Sequence, residues 1–285
     1  MSKGADMKIF IVYCSPGGST RHVAGIIRQE FNRRETEVTM MDLGSRQGLP
    51  EIVDALTSAG KQTCLFIGSP VYRDVAIPPV MQFIDALPEI PGAYAVPFVT
   101  WGEACSGVAL WQMSAALMQK GFAIAAAAKV VAVHSMMWHV SDPAGKGHPD
   151  KDDDRQIMDL VETLFKRLNE GNVSALSLGT LDYQPAERET EMKNKIKAPW
   201  MTVPKNVNTV VCTQCGICEE ECPVSAIDFT PYPQFGQNCF DCFNCIRLCP
   251  ENAIEPAISM DKIAHHIRQR VKNINEKPLT QIFVT

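Results

Sequence analysis

Ile11-Val12-Tyr13-Cys14-Ser15-Pro16-Gly17-Gly18-Ser19-Thr20-Arg21-His22-Val23-Ala24 is the stretch that decides the fold. An apolar run that reads as a first strand ends at Tyr13. Hydroxyls at Ser15, Ser19 and Thr20 follow, with Gly17 and Gly18 between them, and an amphipathic helical pattern begins at once. Small residues let backbone amides approach a ligand closely, and the helix N-terminus adds its own amides and dipole, so the segment reads as an anion cradle. It contains neither the Gly-Lys-Ser/Thr of a nucleoside-triphosphatase loop nor the Gly-x-Gly-x-x-Gly of a dinucleotide site. The anion it suits is a phosphate held largely by neutral groups.

From Lys8 to about Thr180, strand-like runs alternate with helical stretches. Strands are expected near 9–13, 37–41, 64–68, 95–100 and 124–133, and helices over 20–33, 50–59, 78–87, 107–120 and 152–169. That alternation predicts an α/β domain, a doubly wound five-stranded parallel sheet with helices on both faces. The alanines at 123–128 favour helix by propensity, but Val130, Val131 and Val133 favour strand, and a strand is expected there. In such sheets ligands bind beyond the carboxyl ends of the strands. The loops there are Gly68-Ser69-Pro70-Val71-Tyr72-Arg73, Thr100-Trp101-Gly102-Glu103-Ala104-Cys105-Ser106-Gly107 and Ser135-Met136-Met137-Trp138-His139. Met136, Met137 and Trp138 either line that site or pack on the C-terminal domain. Cys14, Cys64 and Cys105 read as small buried residues.

The remaining eight of eleven cysteines form two runs, Cys212-x2-Cys215-x2-Cys218-x3-Cys222-Pro223 and Cys239-x2-Cys242-x2-Cys245-x3-Cys249-Pro250. This is the ligand pattern of bacterial 4Fe-4S ferredoxins, in which the fourth cysteine of each run serves the other cluster. The first cluster is expected on Cys212, Cys215, Cys218 and Cys249, the second on Cys239, Cys242, Cys245 and Cys222. Cys222-Pro-Val-Ser-Ala-Ile-Asp and Cys249-Pro-Glu-Asn-Ala-Ile-Glu repeat after the runs, as a duplicated half-domain would leave them. Four-cysteine zinc sites use Cys-x2-Cys pairs rather than quartets closed by proline.

The strand-to-helix segment resembles the FMN-phosphate loop of flavodoxins, and the resemblance implies a flavodoxin-like fold with FMN bound across its loops. Its cofactor-binding residues would be Ser15, Gly17, Gly18, Ser19 and Thr20, then Ser69, Pro70, Val71 and Tyr72, then Thr100, Trp101, Gly102 and Gly107. Tyr72 and Trp101 are candidate stacking partners for the flavin ring. With the two cysteine quartets, nearly the whole chain is similar to the fused flavodoxin-ferredoxin proteins of anaerobic bacteria and archaea, the EFR-type ferredoxin family. That resemblance implies two 4Fe-4S clusters and one FMN in a single polypeptide.

The expected organisation is 1–181 flavodoxin-like, 182–206 linker, 207–256 ferredoxin and 257–285 an amphipathic helical tail. In that tail Met260, Ile263, Ile267, Val271 and Ile274 recur at helical spacing behind Ser259 as N-cap. The formal net charge of -5 argues against nucleic acid as a partner. Residues 7–13 are too short an apolar run for a signal-peptide core, and 121–138 is broken by Lys129 and His134, so no membrane span is expected. A soluble, cytoplasmic protein with reduced thiols is expected.

Two functional readings stand side by side. One is an electron-transfer protein relaying single electrons between the clusters and FMN, with a ferredoxin or a reductase as redox partner. The other is an FMN-dependent reductase of a small acceptor (quinone, nitro compound or activated alkene) bound by His134, His139, Tyr72 or Arg73. A homodimer, in which one copy's clusters serve the other's flavin, is left open.

Overall fold

The computed structural model describes residues 7–45, 48–200 and 202–285. Its first half carries strands β1 (Lys8–Tyr13), β2 (Val38–Asp42), β3 (Thr63–Tyr72), β4 (Val75–Ala76), β5 (Tyr94–Trp101), β6 (Ala123–Ile124) and β7 (Ala127–Val131). Helices α1 (Ser19–Asn32), α2 (Leu49–Ala59), α3 (Pro78–Ala86), α4 (Ala109–Gln119) and α5 (Lys151–Glu170) connect them. Strands β2, β1, β3, β5 and β7 lie side by side in that order, all parallel, with Ile11 opposite Met40 on one side and Phe66 on the other. This order is that of the flavodoxin-like doubly wound sheet. The chain reverses its winding at β1 and β3, where the cradle loop opens.

Buried on both faces, β1 and β3 consist of nearly continuous apolar residues, as parallel strands must. One face packs Val23, Ile27 and Phe31 of α1 with Ile157, Leu160, Val161 and Leu164 of α5. The other packs Ile52 and Leu56 of α2, Phe83 and Ile84 of α3, and Leu110, Met113 and Leu117 of α4. The expected strand over 124–133 is shorter and interrupted. Ala125 and Ala126 separate β6 from β7, and beyond Val131 the backbone of Val133 and His134 bonds to His148 and Ala144 instead of the sheet.

Residues 186–197 still pack on this domain. Helix α6 (Ala186–Lys197) buries Met192 against Val75, Cys105 and Val108. At the far end, Ser259 caps α9 (Met260–Ile274) through its Oγ, which accepts from the Lys262 amide, and Ile267 and Ala264 pack on Ala104 and Met137. The tail then continues past the helix that the sequence pattern gives. Gln281–Phe283, here β12, pairs antiparallel with β7 and becomes a further edge strand of the sheet. Glu276 anchors this return: its carboxylate accepts from Lys129 Nζ at 2.6 Å and from the Ser106 amide at 2.9 Å.

Between α6 and α9 lies a small unit of two two-stranded sheets, β8 (Lys205–Val207) with β11 (Ile254–Pro256) and β9 (Ile227–Phe229) with β10 (Pro233–Phe235). Short helices α7 (Ile217–Glu220) and α8 (Asn244–Arg247) lie within the two cysteine runs at matching positions, carrying Cys218 and Cys245. The duplication extends to the backbone. Left-handed residues recur in register as Gln214 and Asp241, Gly216 and Phe243, and Ser225 and Asn252. The unit is docked on the carboxyl ends of the parallel strands: Pro223 packs against Gly44 after β2, Phe240 joins the core beside Tyr72, and Arg247 donates to the Pro16 carbonyl oxygen at 2.8 Å.

Candidate cofactor sites

A cleft of about 540 Å³ opens at the carboxyl ends of β1, β3, β5 and β7. This size falls within the range of small-molecule sites. At one end are Gly17, Ser19 and Thr20, at the start of α1. Gly18, between Gly17 and Ser19, has φ of +91°, a left-handed conformation that glycine adopts without steric cost. Thr20 Oγ1 and Thr100 Oγ1 share a hydrogen bond of 2.8 Å, tying the cradle to the carboxyl end of β5. The cleft continues past Pro70, Val71, Tyr72, Trp101 and Gly102 to a wall from outside the sheet, in which Trp200, Phe240 and Phe243 stand with Ile267 of α9. Neutral hydroxyls and a helix N-terminus at one end, with aromatic and apolar groups at the other, fit a phosphate-bearing flat ring such as FMN.

Nine of the thirteen residues expected at the flavin line this cleft: Gly17, Ser19, Thr20, Pro70, Val71, Tyr72, Thr100, Trp101 and Gly102. The other four are engaged beside it. Ser15 Oγ accepts from the Arg21 amide at 2.8 Å, and Gly18 supplies the turn into α1. Ser69 is buried, its Oγ accepting from the Ile77 amide and donating to the Pro70 carbonyl oxygen. Gly107, at φ of +60°, passes so close to the Asp74 carbonyl that a Cβ would sit 2.0 Å from its oxygen.

Of the two candidate stacking rings, Trp101 is only 1% exposed. Its Nε1–H donates to the Leu279 carbonyl oxygen at 2.9 Å, and the Lys129 ammonium lies 5.4 Å from the ring, so it forms a floor rather than a free face. Tyr72 keeps a half-buried position in the wall, where its hydroxyl accepts from Ser135 Oγ at 3.2 Å. Sequence reasoning missed Trp200, Phe240 and Phe243, which belong to the other unit and reach the cleft only through docking. Trp138 packs on that unit, with its ring 6.4 Å from Phe243, whereas Met136 lines the cleft.

His134 also lines the cleft. Burial, followed by the nearby Arg270 charge, pushes its imidazole down to about 4, so it is neutral at physiological pH. His139 stands apart, 3.7 Å from Asp261. Arg73 and Arg270 are at the rim, the latter paired with Asp74, which also holds Lys195 Nζ at 2.6 Å. Cys14, Cys64 and Cys105 are buried. Burial pushes Cys64 up to about 12 and Cys105 up to about 11, leaving neutral thiols unsuited to nucleophilic work.

The cysteine runs line two small cavities. Cys212, Cys215, Cys218 and Cys249 line the first, with Phe229 and Ile254. Cys222, Cys239, Cys242 and Cys245 line the second, with Phe240, Phe243 and Ile227. Each therefore takes three sulfurs from one run and the fourth from the other, and soft sulfur donors of this kind suit iron-sulfur ligation. The closing cysteines are held alike: the Ala226 amide donates to Cys222 Sγ at 3.2 Å and the Ala253 amide to Cys249 Sγ at 3.3 Å. Burial pushes Cys218 up to about 11 and Cys242 and Cys245 up to about 12.

Residues 206–228 match the family described as a 4Fe-4S binding domain. The chain joins a flavodoxin-like domain to a ferredoxin-type one. No curated protein matches it. Among solved structures, it is similar to rubredoxin oxygen:oxidoreductase from the anaerobe Desulfovibrio gigas, at 22% identity over 59% of this chain and 37% of that one, with a TM-score of 0.45. It is also similar to a flavodoxin from the domain Archaea (18% identity, 57% of this chain and 99% of that one, TM-score 0.44). A third is an NADH:FMN oxidoreductase in its apo form (18% identity, 60% and 91%, TM-score 0.43). The chain thus spans little more than a third of the Desulfovibrio protein. Among the described residues no helix is long and apolar enough to cross a membrane.

Proposed function

We propose that this is an electron-transfer protein holding FMN in the cleft and a 4Fe-4S cluster in each cysteine cavity. The observation that carries this reading is a shared wall: Phe240 and Phe243 line both the second cysteine cavity and the cleft. Bound there, the clusters would supply one-electron exchange and the flavin exchange of one or two electrons, so the pair converts between single-electron carriers and two-electron chemistry.

The protein's own part is placement and exclusion of water. Thr20 and Thr100 tie the start of α1 to the end of β5, and Phe240 and Phe243 exclude water between the two sites. Helix α9 closes the outer side with Ile263 and Ile267. The first cavity faces outward, because Cys215 is exposed and Val210, two residues before Cys212, is 92% exposed. A redox partner docking on that side reaches the first quartet before the cleft.

A second reading, reduction of a small acceptor, is favoured by one observation. Neutral His134 and charged Arg73 both line the cleft, where a polar acceptor meets a donor and a cation. Anaerobic stopped-flow mixing separates the two. Bleaching of the flavin by reduced ferredoxin but not by NAD(P)H supports electron transfer, and rapid bleaching by NAD(P)H with turnover of a quinone supports the reductase.

A further inference from the structure

The two cysteine cavities match in their sulfurs and differ in the charge placed against them. Lys205 lines the second cavity, with its side chain only 1% exposed. Its Nζ donates to Cys239 Sγ at 3.4 Å, to Asp241 Oδ1 at 2.8 Å and to the Val203 carbonyl oxygen at 3.0 Å. The Phe243 and Phe235 rings flank it at 5.3 and 5.7 Å. Among the described residues lining the first cavity there is no lysine or arginine, and the one ionisable residue besides the cysteines is Glu251.

We propose that Lys205 is a positioning residue that sets the two clusters apart in potential, making the one on Cys222, Cys239, Cys242 and Cys245 the easier to reduce. This rests on the reading that both quartets carry 4Fe-4S clusters. Reduction adds one negative charge to a cluster, and net charge and hydrogen bonds to the sulfurs set its potential. An ammonium in contact with one ligand sulfur stabilises the added electron, and the surrounding aromatic rings keep out the water that would screen it.

Asp241 opposes this effect in part. Its carboxylate oxygen lies 3.8 Å from Cys239 Sγ, farther than the ammonium, and its second oxygen is occupied by the Val203 amide at 2.9 Å. The cation is the nearer charge and donates the hydrogen bond, so its sign prevails. Solvent near Cys215 favours reduction of the first cluster, but acts through a higher dielectric than a buried charge at contact. An electron shared by the pair would therefore reside mainly on the cluster that borders the cleft.

The test is an anaerobic redox titration of the full chain followed by electron paramagnetic resonance, with the first cluster's signal assigned by its alteration in Cys215→Ser. In Lys205→Met, the reduced-to-oxidised ratio of the second cluster at a fixed potential should fall about tenfold, about 59 mV for one electron, with the first cluster unmoved. Asp241→Asn should shift the second cluster the opposite way, and Lys205→Arg should hold it near the wild-type value.

Opposite shifts from neighbouring variants are not produced by general loosening of the fold. An unmoved second cluster in Lys205→Met, or equal shifts of both clusters, overturns the proposal. If Lys205→Met does not retain its second cluster, Asp241→Asn decides: a rise supports the proposal and no rise overturns it. A wild-type chain without two cluster signals overturns both this inference and the reading beneath it, whereas two signals with unmoved potentials overturn the inference alone.

Discussion

Arg247, at the end of α8, donates through Nη2 to the Pro16 carbonyl oxygen at 2.8 Å, so the second half of the cysteine repeat braces the phosphate-cradle loop of the flavodoxin-like domain. The same nitrogen donates to Asn244 Oδ1 at 2.9 Å, which fixes the guanidinium on its own helix. Two functional units are thereby joined at the loop where the flavin phosphate is expected.

Removing that brace should weaken flavin binding without unfolding either unit. Arg247→Met loses both of these hydrogen bonds, and with about 1 kcal/mol of the lost bracing at Pro16 reaching the cradle it should raise the FMN Kd about fivefold. Fluorescence titration of the flavin-free chain checks this, and an unchanged Kd would show that the brace has no influence on the cradle.

The cradle itself is more sensitive. Thr20→Val removes the hydroxyl at the start of α1 and strips the buried Thr100 hydroxyl of its 2.8 Å partner, so the FMN Kd should rise roughly tenfold or more, alongside a stability loss of about 1–3 kcal/mol in the urea transition. A large loss of stability with intact FMN affinity would assign Thr20 to the fold and not to the ligand.

Lys129 and Glu276 form a buried pair at 2.6 Å, with side chains 1% and 10% exposed. Burial alone would push the Glu276 carboxyl up, but the Lys129 ammonium and the Ser106 donors hold it below its ordinary value. Removing one partner leaves an uncompensated buried charge, so Lys129→Met should cost about 3–5 kcal/mol. Hydrogen exchange should speed up selectively at 279–285, the segment this pair holds against β7. Uniform exchange across the chain would contradict that role.

His134 carries a pH dependence of definite sign. Its folded-state value of about 4 lies below its ordinary 6.5, so the unfolded chain takes up the proton first on acidification. The stability contribution of the neutral ring is complete above pH 6.5 and shrinks as pH falls from there toward 4. At pH 5.5 the loss from this ring is about 1 kcal/mol. Anaerobic urea denaturation at pH 7.5 and 5.5 should show His134→Gln with the flatter dependence, and equal slopes would remove His134 from the account.

Local chemistry explains what the sequence disclosed. The cradle from Tyr13 to Thr20 and the cysteine quartets are defined by residue type at short spacing, and Ser259 caps α9 by the ordinary side-chain rule. What stayed hidden depends on contacts between distant segments. Gln281–Phe283 is too short to show alternation and becomes a strand only because β7 offers an edge. Trp101 read as a stacking ring because nothing nearby in sequence announces that the Leu279 carbonyl takes its indole N–H. Phe240 and Phe243 sit inside a cysteine run, where their spacing says nothing of a cleft formed by another unit. Lys205 stood at the edge of a presumed linker, and its meaning appears only with Cys239 beside it.

The central claim is that one polypeptide carries two sulfur-ligated clusters and a flavin. Oxygen-free purification followed by iron, acid-labile sulfide and flavin determination tests it most directly. About eight irons, about eight sulfides and about one FMN per chain is the expected result. Zinc in place of iron, half that iron content, or a chain that takes up no FMN would contradict it.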